Sequence, residues 1–361
     1  MGALEEWIAE MFLVHSLNLL RFSADVQDKI VALMGAMSKE LTAKLAESEI
    51  PALRTQRMAV LLRESNAIIA SHYSGMQAEV AHNLSGMLRI EANYTAKVLT
   101  QALKIELGAK LPPAAYLEKL VGNTLIDGAA SAKWWKRQEG STQFNFARQV
   151  ELGASQGETT SQIVARVIGT SAKAAGGDTE AVTGILQTSA AKARALVHSS
   201  VQAVANAARL ASFQQNADLI ECLVWLSTLD SHTCLLCAMR DLHEYSLDDQ
   251  EPINHTHEWA GGPGAIHFSC RCVLSTRTKS FKDLGIELDE PGESTRPSDG
   301  GAVSSKMNFR DFLASKDKAW RAEYLGPGRA EMYEAGKITL NDLMNLKGRK
   351  LTLEQLQAKY K

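Results

Sequence analysis

Apolar residues recur at steps of three and four along much of the first 215 residues, and this is the period of an amphipathic α-helix. One stripe runs from Val26 to Leu45, and a second runs from Met76 to Val98 with Glu91 interrupting it. An alanine-rich stretch extends the helical pattern to about residue 212. The sequence therefore predicts a mainly α fold with a long helical region over residues 1–215.

The pattern changes after Asn216. Ile220–Leu226 is a short apolar run that favours a β-strand, and Cys, His, Gly and Trp residues are concentrated in the segment that follows. We expect a small α+β module, rich in Cys and His, over residues 216–288. The Pro, Gly and Ser content of residues 289–305 predicts a flexible linker, and residues 306–361 are expected to form a short helical tail.

The overall charge does not indicate a class of partner. The chain has 361 residues, 39 of them basic and 41 acidic, and a net charge of −2 is typical of neither nucleic-acid-binding nor membrane-surface proteins. The tail over residues 306–361 is basic, with 12 basic and 7 acidic residues. This excess favours a solvated helical surface first, and a contact with DNA or an acidic partner second.

Neither a membrane span nor a secretory signal is evident. Met11–Leu20 is interrupted by polar residues and is shorter than the roughly 20 apolar residues that a spanning helix needs. Glu5, Glu6 and Glu10 lie where a signal peptide would be basic. We therefore expect the chain to fold in a reducing cytoplasm, where its five cysteines favour metal binding or catalysis over disulfides.

Four of the five cysteines form two close pairs, Cys234-x-x-Cys237 and Cys270-x-Cys272, and His267 precedes the second pair by three residues. A Cys-x-x-Cys turn brings two thiolates to one ion, and the second pair or His267 can complete a tetrahedron. We expect one structural zinc ion held by the four cysteines, with His267 replacing one of them or hydrogen-bonding to a ligand. Four protein ligands would leave no position for water, so the site would not be hydrolytic.

Two other states of these cysteines stay open. They could form a disulfide or redox pair outside the cell, or they could be buried as small apolar groups. Cys222 lies apart from the two pairs, and burial is the expected state for it.

A second group of polar residues, His243, His255, His257 and Glu258, suggests an alternative function. An open metal position among them would suit a zinc-dependent nuclease or a toxin-like effector delivered with a genome. Their order and spacing match neither a zinc deaminase nor a metalloprotease, and no phosphate loop, dinucleotide fingerprint or Gly-x-Ser-x-Gly motif occurs. We therefore expect no catalytic residues. A metal-dependent hydrolase remains the alternative, and a packaging factor that contacts DNA through the basic tail is a third possibility.

The order of residues around the cysteines resembles the phage head morphogenesis family, the minor head proteins similar to the F protein of phage Mu. The shared pattern is a tryptophan, an aspartate before the first cysteine pair, and a final His-x-x-Cys-Arg-Cys. It is carried by Trp225, Asp230, Cys234, Cys237, His267, Cys270, Arg271 and Cys272. The chain departs from the family in having Ala265-Ile266 in place of prolines, and in a longer loop through residues 255–264.

This resemblance implies a structural protein of the virion, inside the capsid near the portal. Its expected partners are the portal protein and the major capsid or scaffold protein, with residues 1–215 as the docking region. It would act in head assembly, genome packaging or DNA delivery, and some relatives leave the particle with the DNA. Trp225, Asp230 and Arg271 would support the site, with Asp230 accepting backbone N–H bonds or pairing with Arg271.

Overall fold

The computed structural model describes residues 3–50, 55–105, 108–169, 183–287, 294–344 and 350–360. Long helices make up most of the region predicted to be helical. In chain order the helices are α1 (Ala3–Ala46), α2 (Thr55–Leu103), α3 (Ala114–Asn123), α4 (Ser131–Ser155), α5 (Thr160–Ile168) and α6 (Ile185–Gln215). A short hairpin of two-residue strands, β1 (Leu125–Ile126) and β2 (Ala129–Ala130), precedes α4. The prediction of a mainly α fold is confirmed.

Both apolar stripes read from the sequence are buried. Ile30, Met37 and Leu41 on α1, and Met76 and Leu84 on α2, are at most 1% exposed. The helices form because these residues lie on one face at the helical period, so burial of that face stabilises the helix more than local propensity does.

The chain divides into two compact units. The first comprises Met1–Leu19, Leu88–Leu120 and Gln202–Lys361, and the second comprises Leu20–Met87 and Val121–Val201. The long helical region predicted from the sequence contributes segments to both units.

Among the described residues of the second unit, the regular elements are helices and the β1–β2 hairpin. Its largest buried side chains include Tyr73, Trp135 and Phe146. The Tyr73 ring meets Trp135 edge-on, with ring centroids 6.2 Å apart, and the Tyr73 hydroxyl hydrogen-bonds to Thr142 Oγ1 at 2.8 Å. Aromatic packing with a satisfied hydroxyl is the usual way to bury a tyrosine in a helical core.

The first unit contains a four-stranded antiparallel sheet. Its strands are β3 (Ile220–Leu226), β4 (Glu244–Tyr245), β5 (Pro252–Ile253) and β6 (Val273–Thr278), in the order β5-β4-β3-β6, with the short helix α7 (Leu235–Ala238) between β3 and β4. Leu226 at the end of β3 pairs with Val273 at the start of β6. This register brings the chain that leaves β3 next to the chain that enters β6, and these two segments carry the two cysteine pairs.

A buried ion pair connects the helices of the first unit to this sheet. Glu91, the residue that interrupts the stripe of α2, is fully buried and pairs with Arg209 of α6. His15 Nε2 lies 2.8 Å from the other carboxylate oxygen, and Arg209 Nη1 donates to the carbonyl oxygen of Leu274 on β6 at 3.2 Å. Burial raises the pKa of Glu91, but the Arg209 charge and the His15 contact outweigh it, so the pKa lies below its usual value.

The segment predicted to be a linker contains a β-hairpin. Residues 289–293 of that segment lie outside the described residues, while β7 (Thr295–Ser298) pairs with β8 (Gly301–Ser304). Arg296 of β7 is 2% exposed, and its Nη1 and Nη2 donate to the two Asp241 carboxylate oxygens at 3.0 Å. The Pro, Gly and Ser residues predict flexibility here, but in the structure they form a tight hairpin turn. The buried Arg296–Asp241 pair helps to hold this hairpin in place.

Short helices follow the hairpin, as the tail prediction expected. They are α8 (Phe309–Ser315), α9 (Lys318–Leu325), α10 (Pro327–Glu334) and α11 (Leu353–Lys359), with a 3-10 turn at Leu340–Leu343. Phe309, Phe312, Leu343 and Leu356 form a core with Leu229 of the Cys/His-rich module. Within the described part of the chain, no helix has the length and apolar content to cross a membrane.

Candidate metal centre

The first cysteine pair lies on one helical turn. Cys234 is the N-cap residue of α7, and the Cys237 N–H donates to the Cys234 carbonyl oxygen at 3.1 Å. This turn places both sulfurs on the same side of the chain. Cys270 and Cys272 immediately precede β6, so the β3–β6 pairing brings them to the same end of the sheet.

The structure brings all five predicted ligand residues together. Cys234, Cys237 and His267 form one group of potential ligand atoms within 4.8 Å of one another, and Cys237, Cys270 and Cys272 form a second. The sulfurs of Cys237 and Cys270 are 3.7 Å apart, and two thiolates on a tetrahedral zinc at about 2.3 Å are separated by roughly 3.8 Å. His267 Nε2 lies 3.1 Å from the sulfurs of both Cys234 and Cys237. A cavity of about 10 Å³ lies against this cluster. These cysteine and histidine side chains are close enough together to bind a metal ion.

The orientation of His267 suits a metal ligand. Its Nδ1 lies 2.7 Å from the carbonyl oxygen of Phe268, an acceptor that requires the Nδ1 atom to carry the proton. The other ring nitrogen, Nε2, faces the sulfurs and has its lone pair available when the ring is neutral. A backbone acceptor on the second nitrogen is the common arrangement for a histidine that binds a metal.

Hydrogen bonds within the cluster shift the acidity of its members. The hydrogen bond with Cys237 lowers the pKa of Cys234 to about 5, and the hydrogen bond from Cys237 also holds the pKa of Cys270 below its usual value. Burial lowers the pKa of His267, but its contacts with Cys234 and Cys270 outweigh this effect and raise it to about 11. The pKa of Cys272 is raised by burial, and its sulfur contacts Ser227 Oγ at 3.5 Å. Thiolates are therefore stabilised at Cys234 and Cys270 in particular.

Part of the chain, including this site, matches a known protein family. Residues 144–275 match a family model described as Phage Mu protein F like protein. The family resemblance is confirmed. No curated protein and no solved structure matches the chain. The matched segment ends within β6, so it includes the whole cysteine and histidine cluster.

Within the Mu F-like segment, Asp230 and Arg271 form a bidentate ion pair beside the candidate metal centre. Arg271 Nη1 and Nη2 each donate to one Asp230 carboxylate oxygen at 2.7 Å, and the backbone N–H of His232 donates to the same carboxylate at 2.9 Å. Both roles foreseen for Asp230 are therefore present. The pair joins the loop before Cys234 to the residue between Cys270 and Cys272.

We expect Asp230→Asn to lower the free energy of unfolding by about 1–3 kcal/mol, because an amide cannot accept two charged hydrogen bonds from a guanidinium. Urea denaturation would measure the loss. Arg89→Gln is the matched control, since Arg89 and Glu118 are both exposed and 3.4 Å apart, and loss of such a pair costs at most about 1 kcal/mol. Equal effects of the two variants would show that the Asp230–Arg271 pair has no special role.

Within the Mu F-like segment, β6 and the chain leading to it pack closely against α6. Asn206 of α6 accepts a hydrogen bond from the Leu274 N–H at 2.7 Å and donates to the Cys272 carbonyl oxygen at 3.2 Å. Gly264 lies against the same helix with φ +78, and a Cβ there would meet Asn206 Nδ2 at 2.6 Å and the Gln202 carbonyl oxygen at 2.7 Å. Only glycine fits this position without displacing the backbone.

Trp225 of β3 is fully buried in the core of the first unit. Its ring meets Trp259 edge-on at 5.8 Å between centroids, and the Arg240 guanidinium lies over it at 5.8 Å. Trp225 thus packs within the core of the module, and its supporting role remains a prediction.

His243, His255 and His257 come together as a stack of rings. The His243 ring stacks on each of the other two, with ring centroids 4.2 Å from His255 and 5.1 Å from His257 and interplanar angles of 18° and 17°, while the His255 and His257 centroids are 6.1 Å apart. Both nitrogens of His255 are engaged, Nε2 with the Glu244 carbonyl oxygen and Nδ1 with the His257 N–H. Across the described ranges, neither group of three or more potential metal ligands includes these histidines.

The surroundings of the stack keep it neutral. Burial, the other two imidazoles and the facing cations Arg240 and Arg310 lower the pKa of His243 to about 3. Burial is also the main reason that the pKa values of His255 and His257 lie below their usual range.

A pH dependence of stability follows from the stack. Below pH 6.5 the unfolded chain binds protons at these histidines while the folded stack does not, so stability is expected to fall as the pH drops from 6.5 towards 3. His243→Gln should reduce the loss of unfolding free energy between about pH 7 and 5 by roughly 1 kcal/mol. The exposed Gln56→Asn, which removes no titratable group, serves as control and should leave the profile unchanged. Identical profiles for wild type and His243→Gln would contradict this assignment.

Proposed function

We propose that the protein is a phage minor head protein, associated with the portal, that acts in head assembly, genome packaging or DNA delivery. The observation that carries this proposal is the Mu F-like match over residues 144–275, which spans the metal centre. Its place would be in the virion, inside the capsid near the portal, and its partners would be the portal and the capsid or scaffold protein. The role is structural and involves no catalytic turnover.

The second part of the proposal is that the cluster holds one structural zinc ion. Cysteine and histidine are the ligands that structural zinc sites use. The ligands we propose are Cys234, Cys237, His267 and Cys270. Cys272 would remain a thiol that donates to Ser227 Oγ, because burial raises its pKa, whereas contacts with Cys237 and His267 lower the pKa of Cys270.

A closed ligand set argues against the alternative of a zinc-dependent hydrolase, because such an enzyme needs an open metal position for water. The stacked histidines do not offer a separate open site, as both nitrogens of His255 already have partners. The sulfur and imidazole cluster therefore fits a role in holding the long loop between α7 and β6.

The functional test uses the phage that encodes this chain. Purified heads should contain the protein protected from added protease, at far fewer copies than the major capsid protein, and the portal should co-purify with it from detergent-treated heads. Heads assembled without the gene should fail in packaging or in DNA delivery. Fully infectious particles that lack the protein would contradict the proposal.

A further inference from the structure

The outward face of α4 is basic and lacks exposed carboxylates over most of its length. Lys133, Arg137 and Arg148 are exposed on this face. Between residues 131 and 150 the sole acidic residue is Glu139, which is buried and paired with a lysine of the same helix. The chain as a whole has a net charge of −2, so this positive face is a local feature.

An exposed aromatic side chain lies among these cations. Phe144 is 68% exposed, and it lies between Arg137 and Arg148 at steps of seven and four residues, on the same side of the helix. Gly140 lies between Arg137 and Phe144, and a Cβ there would meet nothing within 4 Å, so the surface is open to a close approach. An exposed aromatic ring among cations can add base stacking to contacts between cations and phosphates.

The neighbouring helix extends the positive surface. Gln138 Nε2 donates to the Lys192 carbonyl oxygen at 3.1 Å, which places this exposed lysine of α6 beside the stripe on α4. No aspartate or glutamate occurs anywhere in α6. Apart from the buried Glu139, neither helix carries an acidic group before Glu151.

The basic tail, by contrast, uses several of its cations internally. Lys316 Nζ donates to Asp299 at 2.5 Å, Arg321 pairs with Glu334, and Arg329 donates to the Leu351 carbonyl oxygen at 2.9 Å. These groups are held by their own fold, whereas Lys133 and Arg148 extend into solvent on a rigid helix.

We propose that the α4 face, formed by Lys133, Arg137, Phe144 and Arg148 with Lys192 at its edge, binds the phosphate backbone of DNA. Lysine and arginine neutralise phosphates, and this contact makes affinity depend steeply on salt. An exposed phenylalanine between them can stack on a base wherever the strand is unpaired. The inference rests on the charge and exposure of these helices and does not require the proposed function in the phage head.

Fluorescence anisotropy with a short labelled DNA duplex and its single strand, at about 50 to 200 mM salt, tests the proposal. The triple variant Lys133→Gln/Arg137→Gln/Arg148→Gln should bind the duplex at least tenfold more weakly at the low-salt end, with the slope of log affinity against log salt reduced by about 2.7. Phe144→Ala should weaken single-strand binding more than duplex binding. The triple variant should fold as wild type does, by circular dichroism and thermal midpoint, because its side chains are exposed.

The matched control, Lys318→Gln/Lys337→Gln/Lys350→Gln, removes the same charge from exposed positions of the tail and should bind within twofold of wild type. Three results would overturn the proposal: no DNA binding by wild type at low salt, equal binding by the triple variant, or an equal loss in the control. Displacement of the duplex by polyglutamate at equal charge concentration would also overturn it, and would identify an acidic protein surface as the partner.

Discussion

Replacing Cys237 with serine is expected to abolish metal binding and to lower the free energy of unfolding by more than about 4 kcal/mol. Cys237 belongs to both groups of potential ligands and is 2% exposed, so its loss removes the thiol that the two groups share. The long loop between α7 and β6 has little regular structure beyond β4 and β5. We expect its ordering to depend on the proposed metal, because short strands alone contribute little burial.

Cys222→Ser is the matched control for this experiment. Cys222 is also buried, but it lies on β3 apart from the cluster, and burial raises the pKa of its thiol to about 12. This variant should keep its metal. Urea denaturation under reducing conditions, with and without a chelator, compares the proteins. The chelator should destabilise wild type and Cys222→Ser to the level of Cys237→Ser, and a wild type indifferent to the chelator would refute the structural role of the metal.

Arg209→Met is expected to destabilise the protein by about 3–5 kcal/mol, because it leaves the carboxylate of Glu91 buried without its guanidinium partner and in contact with His15 only. Both side chains are at most 1% exposed, and the Arg209 guanidinium also lies over the Phe12 ring at 4.4 Å from its centroid. Since Glu91 without Arg209 would prefer the protonated form, the loss should become smaller as the pH is lowered.

A double-mutant cycle separates the ion pair from the packing around it. Glu91→Leu with Arg209→Met removes both charges, and the double variant should be more stable than Arg209→Met alone. Urea denaturation of wild type, the two single variants and the double variant at neutral pH gives the coupling energy. Strictly additive losses would mean that Glu91 and Arg209 do not interact in the folded protein.

Much of the helical architecture could be predicted from the sequence because residues such as Ile30, Met37 and Leu41 repeat at the helical period. The cysteine cluster could also be foreseen, since Cys234 and Cys237 share one turn whatever the rest of the fold does. Which of the potential ligands come together in space could not be predicted, because this depends on the long-range pairing of β3 with β6. The sequence gives no periodic signal for that register.

The buried ion pairs show what local patterns leave out. The interruption of an apolar stripe by Glu91 was a usable sign, because a charge on a buried face needs a partner. Nothing in the sequence indicated that the partner was Arg209, which is 118 positions away. Arg296 lies in a segment whose composition is typical of linkers, so the sequence did not indicate its buried pair with Asp241, which helps to hold the hairpin.

The central proposal, a closed structural zinc centre within the Mu F-like segment, is tested most directly by zinc X-ray absorption on protein purified under reducing conditions. We expect one zinc per chain with three sulfurs at about 2.3 Å and one nitrogen at about 2.0–2.1 Å, lost in Cys270→Ser and retained in Cys272→Ser. Protein without zinc, or a zinc with a water oxygen among its ligands, would contradict the account.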